Sequence, residues 1–507
     1  LLAILCLCVL GACNTSSNTD GGGNTNPDTA LPMDSATGTV LFKGAPLAGA
    51  TVTAFLTNTS SILQVATTDA NGNYSFSNMD PWGNSPANFD IWVQKQGYGF
   101  YPSLTSSATG AIITRADHTG DYMGNGQTDV PIYLTVINDT AQKNLSLSGA
   151  NFNAFDGSNP PVSVASTGQQ TSYAPGDDAS MHKGVAWPET RFSDNQNGTV
   201  TDHLTGLVWL KNADCFSLST WAAALNDANQ LANGACGLSD GSTAGQWRLP
   251  NLNELESLID VSAANPALST GSSFTGVSNS LYWTSTSYFG GENGSPYAWV
   301  IRLSDGRYIN DITDNTKVSA TNSVWAVKGT GVGSPAQLQS TGMYDIFAAG
   351  DDGSVQAGIP LTYPRFIDNN NGTLTDTVTG LIWLKQANCI DQPWSAAIAA
   401  VNQLASGQCG LTDNSAAGQW RMPNRNEMLS LSDRMETNEA DFFDNTFKNM
   451  DGTVYQSPIF SNFVVSQFYW TSTTDAASPT SAWTVFSCDF GVYDTPKSQS
   501  GYTLAVR

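Results

Sequence analysis

The stretch from Arg191 to Lys211, RFSDNQNGTVTDHLTGLVWLK, returns at Arg365 to Lys385 as RFIDNNNGTLTDTVTGLIWLK. The residues after it return in the same order: a Trp-Ala pattern, a Cys-Gly-Leu turn, Gly-Gln-Trp-Arg-Leu/Met-Pro-Asn, then Tyr-Trp-Thr-Ser-Thr. The residues before it return too, since Ser166-Thr-Gly and Gly176-Asp-Asp answer to Ser340-Thr-Gly and Gly350-Asp-Asp. One domain is therefore written twice, over residues 164–329 and 338–507, with Gly329 to Pro335 as the hinge in a connector at 330–337. Any function must be one that two such copies can carry.

Within each copy the local signals agree. Asn197-Gly198 and Asn371-Gly372 mark hairpins, because both residues tolerate positive φ. Thr-Gly at 205–206 and 379–380 marks a second turn, so each copy opens on a small meander. Trp221, Ala224, Leu225, Ala228 and Leu231 fall on one helical face, as do Trp394, Ala397, Ile398, Val401 and Leu404. Gly234 and Gly407 are expected to stop these helices. Such Trp residues read as core anchors first and as sugar platforms second. Asn251 with Glu254, and Asn424 with Glu427, are capping boxes that start a second helix, with Leu252, Leu255, Leu258 and Ile259 facing inward. Arg248 and Arg421 could hold an anion; with so few cations in the chain, an internal ion pair is the better expectation. Tyr282 to Thr286 and Tyr469 to Thr473 read as central strands.

Cys215 and Cys236 bracket the first helix, and Cys389 and Cys409 do so in the second copy. An even pair duplicated at matched positions in an exported chain reads as a disulfide. Bridged Cα atoms lie within about 7 Å, so one flank must fold back along the helix. Cys488 has no counterpart and is expected to be a free thiol.

Ahead of the repeats, Leu1 to Ala12 is an apolar run ending at Cys13. It is too short for a spanning helix, which takes about 20 residues, and reads as a truncated export signal over 1–12. Leu10-Gly11-Ala12-Cys13 resembles a bacterial lipobox, which implies lipidation of Cys13, a membrane partner through that lipid and, with Asn14 next, the outer membrane. Residues 13–35 are Gly, Asn, Ser, Thr and Pro rich and read as a tether. Short alternating runs over 36–137 read as a β-sandwich, with Asp69, Asn71 and Asn73 in a turn. Residues 138–163 read as a linker.

The net charge is −23 and only 12% of residues are charged. No basic stripe exists to meet phosphates, so nucleic acid is excluded as a partner. There are three His in the chain, at 118, 182 and 203, none of them in the second copy. A duplicated Ser-His-Asp device or His-based zinc site is thereby excluded, and no catalysis and no cofactor are expected. Asp194, Asn195, Asn197 and Asp202, with Asp368, Asn369, Asn371 and Asp376, offer the hard oxygens that calcium prefers. Asx turns in a hairpin account for the same residues.

The phrase GTVLFKGAPLAGATVTAF…TDANGNYSF resembles carboxypeptidase-regulatory-like (prealbumin-like) modules. The run RFxDNxNGTxTDxxTGLxWLK, then GQWR(L/M)PNxNE, YWTST and a closing Val-Lys/Arg strand resembles the Lcl C-terminal domain family and, more distantly, C-type-lectin-like folds. The resemblance implies a multidomain chain: an N-terminal all-β sandwich followed by two homologous α+β (C-type-lectin-like) domains. It also implies surface display and ligand binding. Glu-Pro-Asn, Gln-Pro-Asp and Trp-Asn-Asp are missing, so the calcium-dependent sugar site of C-type lectins is not expected. The leading expectation is an adhesin-like surface protein binding a glycan or a protein ligand; the alternative is an envelope or biofilm scaffold without a small ligand.

Overall fold

A computed structural model describes residues 35–42, 45–56, 62–77, 89–95, 99–104, 112–117, 132–137, 146–148 and 150–155, then 162–269, 271–288, 296–309, 315–331, 334–343, 346–361, 365–434, 447–448, 454–456, 459–487 and 490–507. The expectations for the signal, Cys13, the tether and Cys488 lie outside these residues. No helix among the described residues is long and apolar enough to cross a membrane.

The N-terminal region is two facing sheets. One is centred on Ser35–Phe42, which pairs in parallel with Ser146–Ser148 and Ala150–Phe155 and antiparallel with Asn73–Phe76. The other runs in the order Ile62–Thr67, Thr51–Leu56, Phe89–Gln94, Ile132–Ile137, Ile112–Asp117. Period-2 alternation drives Ala36, Val40, Val52, Ala54, Ile91, Val93 and Phe152 into one apolar layer. The Asp69 carboxylate accepts from the Asn71 and Asn73 N–H groups at 2.8 Å each, an Asx turn. Part of the stretch expected as a linker over 138–163 is strand instead. Ala150–Phe155 alternates Ala and Phe with Asn, and pairs with Ser35–Phe42 and Gly99–Leu104.

Each copy opens on its meander: Phe192–Asp194, Thr199–Asp202 and Val208–Leu210, then Phe366–Asp368, Thr373–Asp376 and Ile382–Leu384. The closing segment returns to it, through Trp209 opposite Val327 and Trp383 opposite Val506. Positive φ falls on Gln196 and Gly198, and on Asn370 and Gly372, rather than on the Asn of each Asn-Gly pair. The hairpins form as expected, with loops of four residues between Asp194 and Thr199 and between Asp368 and Thr373. Gly198 is required there. A Cβ on it would overlap the Gly237 carbonyl, and one on Gly372 the Gly410 carbonyl.

The helices Trp221–Gln230 and Trp394–Asn402 bury the expected Trp, Ala and Leu/Ile/Val faces. They end before Gly234 and Gly407, which instead shape the turn that carries the second cysteine. Cys215–Cys236 and Cys389–Cys409 are bonded, with Cα atoms 5.6 and 5.7 Å apart. One flank of each helix folds back along it to allow this. The second helices, Leu252–Glu256 and Arg425–Ser430, carry complete capping boxes.

A second sheet completes each copy: Leu281–Tyr288, Tyr297–Arg302 and Arg307–Ile309 in the first, and Asp391–Pro393, Ser500–Tyr502, Phe468–Thr474, Ser481–Phe486 and Val492–Pro496 in the second. One apolar cluster runs through both copies, from Trp209, Trp247, Trp283 and Trp325 to Trp383 and Trp483. The copies thus share a core rather than resting side by side.

Candidate functional site at the seam between the copies

Each copy is preceded by a strip, 162–187 or 338–361, that carries the repeated Ser-Thr-Gly and Gly-Asp-Asp. The strips cross. The first strip is held by copy 2: Gln169 exchanges two hydrogen bonds with the Thr474 backbone, at 2.7 and 3.1 Å. Asn426 Nδ2 donates to the Ala165 carbonyl at 3.1 Å, and Asn424 Nδ2 to that of Lys183 at 3.3 Å. The second strip is held by copy 1: Asn253 Nδ2 donates to the Gln339 carbonyl at 3.0 Å, and Asn251 Nδ2 to that of Ala357 at 3.1 Å. Each strip also keeps one backbone tie to the copy it leads into, Val261 N to Thr167 O and Arg434 N to Thr341 O.

The chemistry of the crossing begins at a helix N-terminus, where the first N–H groups have no intrahelical partner. In copy 1, Thr286 Oγ1 accepts from the Leu252 N–H at 2.9 Å and donates to Asp352 Oδ2 of the second strip at 2.6 Å. Thr341 donates to the same oxygen at 2.6 Å. In copy 2, Thr473 Oγ1 accepts from the Arg425 N–H at 3.0 Å and donates to Asp178 Oδ2 at 2.7 Å, joined by Thr167 at 2.5 Å. Burial pushes the Asp352 carboxyl up to about 7 and the Asp178 carboxyl up to about 6. The two hydroxyls pull each one down, while Glu254 and Asp351, or Glu427 and Asp177, push it further up. The neighbouring Asp177 and Asp351 cap a single helical turn, accepting from Ser180 N and Ser354 N.

Beside each latch a lysine is boxed by aromatic rings from both copies. Lys317 Nζ lies 4.2 Å from the Trp221 ring and 4.2 Å from that of Phe347, and donates to Ser287 at 2.6 Å. Lys497 Nζ lies 4.0 Å from Trp394 and 4.7 Å from Tyr173, and donates to Thr474 Oγ1 at 2.8 Å. The walls Phe347 and Tyr173 come from the crossed strips. Burial lowers both lysines to about 8, against the opposing pull of Asp351 or Asp177. Cation–π attraction of this kind contributes about 0.5–2 kcal/mol.

Other sequence-derived residues have local duties. Arg248 forks onto Glu254 at 2.5 Å for both nitrogens, and Arg421 onto Glu427 at 2.6 Å, so both are internal ion pairs. Arg191 pairs with Asp202 at 3.1 Å and reaches the Ser257 carbonyl; Arg365 pairs with Asp376 at 2.9 Å and reaches Ser430. Asp202 and Asp376 are fully buried beneath these arginines. Asp194 and Asp368 sit apart, at the more exposed end of each hairpin, paired with Lys211 and Lys385. Those lysines hold the two carboxyls below the usual range. Asn195 and Asn369 donate to threonine hydroxyls, and Asn197 and Asn371 accept from the Thr199 and Thr373 N–H groups. The oxygens proposed for calcium are thus distributed over separate partners. Among the described residues, no group of three or more His, Cys, Asp or Glu is placed to hold a metal ion. His203 meets the Ser193 hydroxyl at 2.8 Å on an exposed strand, where copy 2 has Thr377 and Ile367.

Sequence reasoning found both strips as repeated motifs but missed what they do. It also passed over Lys317, Lys497, Thr286 and Thr473. The signal was present: Gly-Asp-Asp is repeated outside the run that makes the meander, and a duplicated Asp that the meander does not use asks for a distant partner.

Two homologous heads, fused through a shared core and reciprocal strips, define a tandem-domain protein. The Lcl C-terminal domain family matches residues 198–328 and 372–507, together more than half of the chain, and the chain belongs to that family. Both matches begin after the strips, so the strips lie outside the matched residues while their seats at Leu252, Thr286, Arg425 and Thr473 lie within them. No curated protein matches the chain.

Proposed function

We propose that this chain is a lipid-anchored bacterial surface protein whose two heads form one bivalent, non-catalytic binder for an extracellular glycan or matrix protein. The observation that carries this reading is the seam. Crossed strips, boxed lysines and a common core hold two homologous heads in one fixed relation, which is what simultaneous engagement of a repeating ligand requires. With only 12% of its residues charged, the chain suits a neutral partner. The C-type-lectin-like resemblance belongs to this proposal, as do lipidation at Cys13 and outer-membrane display.

The test is binding of the whole chain to arrays of neutral glycans and matrix proteins. Saturable binding that is stronger on a dense array than to the same ligand free in solution, by about 10²-fold, supports the reading. Loss of envelope or biofilm integrity in a deletion strain, with no ligand bound on any array, supports a scaffold instead. Repeating the array with a chelator reads the calcium expectation at Asp194, Asp202, Asp368 and Asp376. Replacing Cys13 by Ala should release the protein from the membrane fraction; retention there would remove the lipid anchor from the proposal.

A further inference from the structure

The first strip runs straight into copy 1 through Pro188, Glu189 and Thr190, yet its side chains and carbonyls are matched to copy 2. Gln169, Asp178 and the carbonyls of Ala165 and Lys183 all find partners there. Ala174 of the same strip packs against the copy 2 core formed by Ile398, Val401 and Trp394. The second strip, by contrast, comes after copy 1 in sequence and seats on it. Copy 1 together with the strip behind it is therefore one continuous piece of chain, about 188–361. Copy 2 is completed only by a strip from the far side of copy 1. That long-range return is added to the shared core and the direct ties between the copies.

None of the contacts that seat the strip depends on which molecule supplies it. The Thr473–Asp178–Thr167 latch, the Gln169–Thr474 pair and the Tyr173 wall over Lys497 would form identically if the strip came from a neighbour. So would the direct ties across the seam, Arg425 with Glu256 and Arg307 with Asp494. Only effective concentration favours the strip of the same chain, and that advantage falls as molecules are crowded together. Exchange of an identical element between protomers costs little, because every bond lost is remade.

We infer that the seam is also an interaction surface for a second copy of this chain, with the 162–187 strip of one molecule seating on copy 2 of another. Reciprocal exchange gives a closed dimer; one-way exchange gives an open string of molecules.

The test uses the full chain with Cys488→Ser. One variant carries Gln169→Cys and a second carries Thr474→Cys; a third carries both. The two single variants are mixed, incubated at rising concentration under mild oxidation, and sized without reductant. The expected result is a disulfide-linked dimer in the mixture that grows with concentration and is missing from either variant alone. The double variant should close within one chain when dilute. Ala165→Cys with Asn426→Cys repeats the experiment at a site that spares the latch and the boxed lysine. A mixture that stays monomeric for both pairs, while the double variants close internally, overturns the inference. So does failure of both double variants to close, because the strip is then not seated on copy 2.

Discussion

Copy 1 and copy 2 bring different charges to the place where they meet. After the Asn cap of the second helix, copy 1 has Leu252 and copy 2 has Arg425. Arg425 is almost fully buried; its guanidinium pairs with Glu256 of copy 1 and donates to the Gly306 carbonyl at 2.6 Å. Burial raises the Glu256 carboxyl, with Arg425 and Arg434 opposing. The position equivalent to Glu256 in copy 2 is Leu429, so this pair exists in one direction only. The comparison separates two jobs. Features shared by the copies, namely the meander, the disulfide, the capping box and the latch, fold each head. Unshared ones, Arg425, Arg434 and Glu256, make the seam directional, so that copy 1 meets copy 2 rather than its own like. A lone buried charge pair is weak evidence for stability but a credible device for pairing specificity.

The largest expected effect breaks that asymmetry. Arg425→Leu, which copies the residue of the first head, leaves Glu256 buried without its main partner and should cost about 3–5 kcal/mol. Adding Glu256→Leu should recover most of it. A double-mutant cycle in urea checks this, and additive losses would contradict the coupling. Next come the shared elements, where the copies should respond alike. Loss of either disulfide, through Cys236→Ser or Cys409→Ser, opens a loop of about 20 residues and should cost about 3 kcal/mol. Gly198→Ala and Gly372→Ala, each forced into a left-handed conformation against a carbonyl, should cost about 2 kcal/mol. A clear difference between the two copies in either series would mean that the heads are not energetically equivalent.

The dependence of stability on pH is the sharpest test of the latches. Asp178 and Asp352 bind a proton more tightly folded than unfolded. Their stabilising contribution is therefore complete below about pH 4, the ordinary carboxyl range, and is lost as pH rises through about 6 for Asp178 and about 7 for Asp352. Asn keeps an oxygen for the threonine hydroxyls and does not titrate. Asp178→Asn and Asp352→Asn together should flatten the fall of Tm between pH 4 and 8. Asp352→Asn alone should shift the upper end of that window. An unchanged profile would mean that neither carboxyl holds its proton at the seam.

Much of each head was legible in the sequence because its partners are close along the chain. Asn251 and Glu254, Arg248 and Glu254, and Cys215 and Cys236 are separated by a few residues or by one helix, and duplication made each visible twice. The strand at Ala150–Phe155 was passed over although Ala and Phe alternate there with Asn, because the run is short and its partners lie far off along the chain. The crossing was hidden for a different reason. Thr286 and Thr473 occupy the same position in the repeat, as do Asp178 and Asp352. A periodic pattern that fits both copies equally cannot say which Asp serves which Thr; only the folded connectivity decides that.

The return of the first strip also sets how tension would travel. Val162, where the strip begins, donates its N–H to the Val378 carbonyl of copy 2 at 2.6 Å. We expect a pull applied between the sandwich and copy 2 to pass through this strip in shear, sparing copy 1, which hangs as a closed side loop. Single-molecule stretching should then show a first rupture and, after it, release of the slack stored in that loop. Weak early unravelling of copy 1 would show that force takes the route of the primary sequence.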